Sequence, residues 1–274
     1  AALWAGAGGF SFGTSTLTMK GSGSQKIYTA AGEVIYALTV NAGSTTDLEC
    51  IGSDAGSPFM PTHNVTINGT LSSTSVPLYM INNFVSNGGA FSFGGSADLT
   101  GLNSIRCVHT SGTIDIPAVT TKILQAEASG GTTRATGDLT LTSELDVSNG
   151  ATFNGNGNTI NVKVVDVNAS TLNLGNTTVN FSVTASGDQL ALDSSSTLLT
   201  GNTTINGNSS ASKTNFYAPA DGGYEVVGIV KQMDIQTGGD LTVVGAVIDC
   251  RLTDSTANIR QFHHTLDTQQ LLDA

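Results

Sequence analysis

Three successive lines of sequence within residues 138–208 decide the fold. They read ELDVSNGATFNGNGNTINV (residues 144–162), VDVNASTLNLGNTTVNFSV (residues 165–183) and LALDSSSTLLTGNTTIN (residues 190–206). In each line, short runs of alternating apolar and polar residues are separated by Asn, Gly, Ser and Thr. Equivalent runs start at Leu145, Val165 and Leu190, at intervals of 20 and 25 residues. Self-similarity at this period is typical of a solenoid.

Each run has the pattern of a half-buried β-strand, with apolar side chains on one face and Thr, Asn or Asp on the other. Strands this short are not stable alone, and the Asn and Gly between them tolerate the left-handed backbone of sharp corners. Stacked coils of about 20 residues would pair their backbones and bury one apolar column. The sequence therefore predicts an all-β chain that forms a right-handed parallel β-helix or solenoid with irregular caps. A β-sandwich or jelly roll is the alternative, because it also needs many short strands.

The composition of the 274-residue chain favours some classes of function and argues against others. Only 11% of the residues are charged and 39% are hydrophobic, so Gly, Ser, Thr and Asn supply the polar surface. Uncharged polar surfaces of this kind are common on extracellular, fibrous and virion β-proteins. The net charge of −11 and the ten scattered Lys and Arg argue against a nucleic-acid partner, because phosphate binding needs clustered cations.

The sequence carries no visible membrane or export signal. No run of about 18 apolar residues is present, so we expect no membrane span, and no signal-peptide pattern is seen. The chain starts at Ala1 rather than Met, which fits either a processed product or a piece of a longer protein, and we favour the second. Its three cysteines, Cys50, Cys107 and Cys250, lie far apart without a Cys-x-x-Cys pattern, which argues against a disulfide framework and a zinc site. We expect them to be buried small hydrophobic side chains.

Two runs near the start resemble a known repeat type. They are GTSTLTMKGSGSQKIYTAAGEVIYALTV (residues 13–40) and NVTINGTLSSTS (residues 64–75). The combination of a Thr-rich strand, a Gly-Ser turn, an aromatic strand and a Leu-Thr-Val strand resembles repeats of tailed-bacteriophage structural proteins and of large secreted bacterial proteins. The resemblance implies a β-helical module of a virion or a cell surface. The spacer between the two runs, residues 44–63, follows no repeat pattern.

The rhythm of the pattern divides the chain into three regions. Residues 1–130 are predicted to form an irregular β-solenoid or β domain, and residues 131–250 the β-helix repeats and terminal strands. Residues 251–274 are predicted to be a cap or a linker tail. Within the first region, residues 120–128 fit either a short helix or a strand across a junction between coils.

Carboxylates are the candidates for catalysis, because many β-helices cleave polysaccharides and glycoside hydrolysis needs two nearby carboxyl groups. Coils of 20 residues would place Asp146 over Asp166, whereas Asp193 need not align with them. Asp234, Asp240 and Asp249 form a second, looser group. The simpler interpretation of both groups is a solvated polar face, so we assign no catalytic, cofactor-binding or metal-binding residue.

The chain is expected to be a structural and interaction module of a phage virion, as a capsid decoration or a part of a fibre or spike. We expect a homo-oligomer, with a trimer favoured, that contacts other virion proteins and a host surface glycan. A tailspike-like depolymerase and a bacterial adhesin passenger at the cell surface are the alternatives. Two nearly continuous apolar strands near the end are the predicted contacts between chains. Their interface residues are Tyr224, Val226, Ile229, Leu241, Val243 and Val247.

Overall fold

A computed structural model of the chain describes thirteen ranges. They are residues 2–4, 13–29, 33–50, 58–181, 190–192, 197–199, 203–206, 215–217, 224–230, 233–235, 240–244, 250–252 and 258–263. Side chains are described for residues 13–28, 34–50, 58–181 and 190. Among these residues almost all regular structure is β-strand, and none of the described helical structure is long and apolar enough to cross a membrane.

The elements follow one another closely along the chain. The first part contains β1 (Ala2–Trp4), β2 (Thr16–Met19), β3 (Ser24–Thr29), β4 (Glu33–Ile35), β5 (Ala37–Val40), β6 (Thr45–Cys50), β7 (Phe59–Pro61), β8 (Val65–Ile67), β9 (Thr70–Ser73), β10 (Leu78–Ile81), α1 (Asn82–Ser86), β11 (Phe91–Phe93), β12 (Ile105–Val108), β13 (Thr113–Ile116), β14 (Val119–Glu127), β15 (Thr132–Ala135) and β16 (Leu139–Ser148). The second part contains β17 (Thr152–Asn154), β18 (Thr159–Val162), β19 (Val164–Asn168), β20 (Thr171–Asn173), β21 (Thr178–Phe181), β22 (Leu190–Leu192), β23 (Thr197–Leu199), β24 (Thr203–Asn206), β25 (Asn215–Tyr217), β26 (Tyr224–Val230), β27 (Met233–Ile235), β28 (Asp240–Val244), β29 (Cys250–Leu252) and β30 (Asn258–His263).

These strands stack as a parallel β-helix, which confirms the predicted fold class. The described strand pairs are parallel, whereas a β-sandwich would be built from antiparallel sheets. The predicted repeat is the observed one, because Leu145 lies opposite Val165 and Val165 opposite Leu190. The spacer that follows no repeat pattern also contributes strands to the stack, β6 and β7.

Successive coils contribute strands to three faces. Face A contains β1, β3, β6, β9, the first parts of β14 and β16, and then β18, β21, β24, β26, β28 and β30. Face B contains β2, β5, β8 and β11, followed by β13, β15, β17, β20 and β23. Face C contains β4, β7, β10, β12, the second parts of β14 and β16, and then β19, β22, β25, β27 and β29.

The core is a set of apolar columns that run through the coils. On face B, for example, Phe153 is fully buried opposite Thr133 on one side and Leu172 on the other. Burying one such large apolar side chain contributes about 1.5 to 3 kcal/mol, and each coil adds several. A void lined by Leu145, Val165 and neighbouring side chains has a volume of about 10 Å³, which leaves no room for a ligand larger than a water molecule.

The corners are made as the Asn and Gly pattern predicts. Asn149, Asn156 and Asn176 have φ angles of 58°, 51° and 59°. Asn is among the few residues that adopt this left-handed conformation at low cost. The Gly155–Gly157 run is such a corner, in which the Asn156 N–H donates to the Asn154 side chain over 2.9 Å.

The strand stack runs across the boundaries of the three regions that the sequence predicts. Residues 120–128 form most of β14, the strand option of the two that the sequence left open, and β14 pairs with β16 across residue 130. Beyond residue 250, β30 pairs with β28. The division into two domains and a cap or tail stays a prediction.

Candidate functional site

The outer surface of face C carries a row of polar and charged side chains. Neighbouring strands place Tyr79, Arg106, Gln125, Asp146 and Asp166 directly opposite one another in that order. Because neighbouring strands lie about 4.8 Å apart, the row is about 19 Å long. We call these five residues the polar track.

One end of the polar track is held by an arginine. The Arg106 Nη2 group donates to both carboxylate oxygens of Glu127 over 2.8 Å, and Nε donates to Oε1 over 3.1 Å. The guanidinium carbon also lies 4.9 Å from the centre of the Tyr79 ring. The Glu127 side chain is only 12% exposed, so the ion pair is shielded from water more than most surface pairs are. Its two-pronged geometry fixes the Arg106 side chain.

The other end holds the two carboxylates that the sequence places together. Asp146 lies directly opposite Asp166, which confirms the predicted stacking. The Gln125 Nε2 group donates to Asp146 Oδ2 over 3.0 Å and so orients that carboxylate. Neighbouring strands lie about 4.8 Å apart, which is close to the separation of about 5 Å between the two carboxyl groups of a retaining glycosidase.

A third carboxyl group, which the sequence analysis did not single out, lies beside them. Glu144 precedes Asp146 by two residues in β16, so both side chains project from the same face of the strand. Burial raises the pKa of Glu144, and the negative charges of Asp146 and Asp166 raise it further. The sequence signal was the spacing of two between Glu144 and Asp146. The alignment between coils, which predicts the stacking of Asp146 on Asp166, gives no information about two residues of the same strand.

The raised pKa of Glu144 predicts a pH-dependent stability. The carboxyl group of Glu144 binds its proton more tightly in the folded chain than in the unfolded chain. The stability that this difference in proton binding contributes is fully present below the ordinary glutamate pKa of 4.5. That contribution is lost as the pH rises through the higher pKa of the folded state. We therefore expect Glu144→Gln, which stays neutral, to unfold at a higher urea concentration than the wild type at pH 7, with a smaller difference at pH 4. An equal difference at the two pH values would contradict the shift.

The other predicted carboxylates do not join this group within the described residues. The residue opposite Asp166 on the next strand is Ala191, and Asp193 lies outside the described residues. Asp234 is on face C in β27, whereas Asp240 is on face A in β28. Asp249 also lies outside the described residues. Asp234 and Asp240 therefore belong to different faces.

The Cys50 and Cys107 thiols and the His109 imidazole are also candidate reactive groups, and their surroundings are those of packed side chains. Cys107 is fully buried and burial raises its pKa to about 12, so its thiol is not activated, as expected of a small hydrophobic side chain. Cys50 is only partly buried, so the expectation of burial is wrong there, because β6 ends at this residue. The side chain of Cys250 lies outside the described ones. His109 is buried with Nδ1 3.1 Å from the Ser111 carbonyl oxygen, and burial lowers its pKa.

The predicted interface strands are neighbours in the stack. Tyr224 lies opposite Leu241 and Val226 opposite Val243, where β26 pairs with β28 on face A. Ile229 lies opposite Thr204 of the preceding coil, and Val247 is outside the described residues. Contact of these residues with a second chain stays a prediction.

No group of three or more His, Cys, Asp or Glu side chains with the geometry to hold a metal ion occurs in the part of the chain that the structure describes. The polar track, together with the neighbouring Glu144, is the candidate functional site. The two combine a carboxyl group with a raised pKa, two stacked carboxylates and a fixed arginine beside an aromatic ring. Comparisons with models of protein families, with curated proteins and with solved structures found no match for this chain.

Proposed function

We propose that this chain is a rigid structural and interaction module of a tailed-phage virion, either a capsid decoration or part of a fibre or spike. The observation that carries the proposal is the unbroken row of parallel strands along face C, from β4 to β29. Each coil in such a row is hydrogen-bonded to the coils before and after it. The stack is therefore stiff along its axis and presents long, regular outer faces.

The chemistry of the outer surface supports the same proposal. On face B, five threonines lie opposite one another on successive strands, at Thr113, Thr132, Thr152, Thr171 and Thr197. Such rows present hydroxyl and methyl groups at regular intervals with little charge. The resemblance of residues 13–40 and 64–75 to phage and secreted bacterial repeats favours the virion as the location. A passenger domain of a bacterial adhesin at the cell surface is the alternative.

The module is proposed to act as a symmetric homo-oligomer, with a trimer favoured. The strands β26 and β28 supply the contact, because their nearly continuous apolar sequence exceeds what one buried face requires. Other virion proteins and a host surface glycan are the further partners.

We expect Val243→Asp to abolish assembly, because a buried charge without a partner costs several kcal/mol. The measurement is light scattering on a sizing column, which should give three times the 27.9 kDa chain mass for the wild type and one chain mass for the variant. Thr242→Asp is the matched control, because the neighbouring residue of a strand projects to the opposite face. Circular dichroism checks that both variants keep their strands. Normal assembly of a folded Val243→Asp variant would refute the interface.

A second candidate function is the cleavage of a polysaccharide along face C, and the polar track favours it. Burial raises the pKa of Glu144 beside the stacked pair Asp146 and Asp166, and a carboxyl group with a raised pKa next to a second carboxylate is the combination that acid-base cleavage of a glycosidic bond uses. The test is the release of reducing ends from capsular polysaccharides by the wild type and by Asp146→Asn and Asp166→Asn. If the wild type releases reducing ends and both variants do not, the chain is an enzyme. If the wild type releases none, the structural role is the remaining proposal.

A further inference from the structure

Asparagine followed by glycine occurs five times among the residues whose side chains the structure describes. Such a pair can react with itself, because the backbone nitrogen of the glycine can attack the side-chain carbonyl carbon of the asparagine. Glycine favours the attack because it has no Cβ atom to hinder the approach. The surroundings of each pair then decide whether the two groups can meet. The pairs are Asn68–Gly69, Asn87–Gly88, Asn149–Gly150, Asn154–Gly155 and Asn156–Gly157.

In three of the five pairs, the glycine nitrogen is held by the following coil. Its N–H donates to an acceptor there, so the nitrogen cannot turn toward the asparagine side chain unless the two coils separate. The distances are 3.0 Å from Gly150 to Ser170 Oγ, 2.8 Å from Gly155 to the Asn173 carbonyl and 3.3 Å from Gly157 to Thr177 Oγ1.

The pair Asn68–Gly69 is held by close packing on both sides. Gly69 lies so near the Asn41 and Ser44 carbonyl oxygens of the preceding coil that a Cβ atom would clash with them. The Gly69 carbonyl also accepts from the Asp98 N–H over 3.0 Å. A Cβ atom on Gly94 would likewise clash with Asn68 Oδ1, so the asparagine side chain is packed against the following coil. Rotation of either residue is therefore opposed by neighbouring coils.

The pair Asn87–Gly88 has no such restraint on its glycine. It lies at the end of α1, and both residues are exposed. A Cβ atom on Gly88 would meet no atom within 4 Å. The Gly88 N–H donates to the Val85 carbonyl over 3.0 Å, which is a bond within the same five-residue helix. The last turn of so short a helix frays easily, so this nitrogen is released without any separation of coils.

We propose that Asn87 is a site of spontaneous covalent modification, at which asparagine is converted to aspartate and isoaspartate. The Gly88 nitrogen loses its proton and bonds to Asn87 Cγ. The bond from Cγ to Nδ2 breaks, so that ammonia leaves and a five-membered succinimide ring remains. Water then adds to one of the two ring carbonyls and opens the ring. One opening gives aspartate, and the other gives isoaspartate, whose main chain runs through the former side chain.

The reaction needs water as its only co-reactant, and no atom is oxidised or reduced. It is irreversible, because the ammonia is lost to the solvent. A chain that persists without replacement therefore accumulates the change with age. The proposal goes beyond the structural role and does not depend on the virion assignment.

The modification removes a contact between two coils. Asn87 Nδ2 donates to the Thr62 carbonyl over 3.0 Å, which ties the end of α1 to the corner of the preceding coil. The product has a carboxylate in place of this donor, and it is charged at neutral pH. A carboxylate cannot donate, so its oxygens and the Thr62 carbonyl oxygen repel each other. The modified chain therefore holds α1 less firmly than the original chain does.

The test compares the five asparagines in one sample. The folded chain is incubated in water enriched in oxygen-18 at mildly alkaline pH and then digested, and mass spectrometry follows the labelled product at each asparagine. We expect Asn87 to react at least tenfold faster than each of the other four, with isoaspartate among its products. In urea that unfolds the chain, the five rates should become similar, because the restraints from neighbouring coils are lost. Similar rates in the folded chain, or a faster reaction at another pair, would overturn the proposal.

A second measurement tests the effect on α1. Asn87→Asp imitates one product, and we expect it to unfold at a lower urea concentration than the wild type. Asn64→Asp is the matched control, because it adds the same charge at an exposed position two residues after Thr62. Its carboxylate can still accept from the Ala90 N–H, as Asn64 Oδ1 does over 3.2 Å. An Asn87→Asp variant as stable as Asn64→Asp would overturn the loosening of α1.

Discussion

Replacing Phe153 by Ala is expected to destabilise the chain by about 3 to 5 kcal/mol, one of the largest effects of a single substitution here. Phe153 is fully buried, with Thr133 of the preceding coil on one side and Leu172 of the following coil on the other. Removing the ring leaves a cavity that three hydrogen-bonded coils cannot collapse to fill. Urea denaturation followed by circular dichroism measures the loss.

Thr152→Ala is the matched control for this substitution. It removes side-chain atoms from the adjacent residue of the same strand, which projects to the outer surface. We expect a change below about 1 kcal/mol, as for other surface substitutions. Equal losses for the two variants would mean that Phe153 does not lie in a packed column, which would contradict the stacking on face B.

Gly69→Ala is expected to lower the free energy of unfolding by about 3 kcal/mol, because the added methyl group overpacks the contact between two coils. A Cβ atom at residue 69 would lie 2.4 Å from the carbonyl oxygens of both Asn41 and Ser44 in the preceding coil. These are backbone atoms whose shift would disturb the pairing of β6 with β9. The Gly69 carbonyl also accepts a hydrogen bond from the Asp98 N–H over 3.0 Å, so residue 69 is fixed from both sides.

Gly95→Ala separates this effect from the general cost of replacing a glycine. A Cβ atom at residue 95 would meet no atom within 4 Å, so the change should be near neutral or slightly stabilising. The comparison of the two urea midpoints is the measurement. A Gly69→Ala variant as stable as Gly95→Ala would show that the two coils do not approach as closely as the structure has them.

The stacking was predictable where coil length is nearly constant. The intervals that start at Leu145, Val165 and Leu190 appear in the structure as direct strand pairs, and the alignment of Asp146 with Asp166 follows from them. Period-two alternation identifies the buried face, and a fixed number of residues per coil then aligns the outer face as well.

The stacking was not predictable where coil length varies. The coil from Leu78 to Ile105 has 27 residues and the next, from Ile105 to Leu124, has 19. No single period connects Tyr79, Arg106 and Gln125, so these three of the five residues of the polar track had no repeat signal. The pairing of Arg106 with Glu127 depends on that alignment and was equally hidden.

The interruption of strand pairing between β11 and β13 has no counterpart in the sequence pattern. Phe91 and Phe93 alternate as any strand of the helix does, and only the placement of α1 in the preceding corner separates β11 from β13. The sequence pattern of residues 1–130 is less regular than that of the repeats that follow. Rhythm alone does not show which backbone edge stays unpaired, because that depends on contacts between coils.

Location on native particles tests the proposed function most directly. Antibodies raised against the chain would be used for immunogold labelling of purified phage and of the producing cells, followed by negative-stain imaging. We predict label on the virion, at the capsid surface or on a fibre or spike. Label at the tail tip would in addition favour polysaccharide cleavage along the polar track. Label on a cell-surface fibre, with none on any particle, would contradict the virion assignment and favour the adhesin.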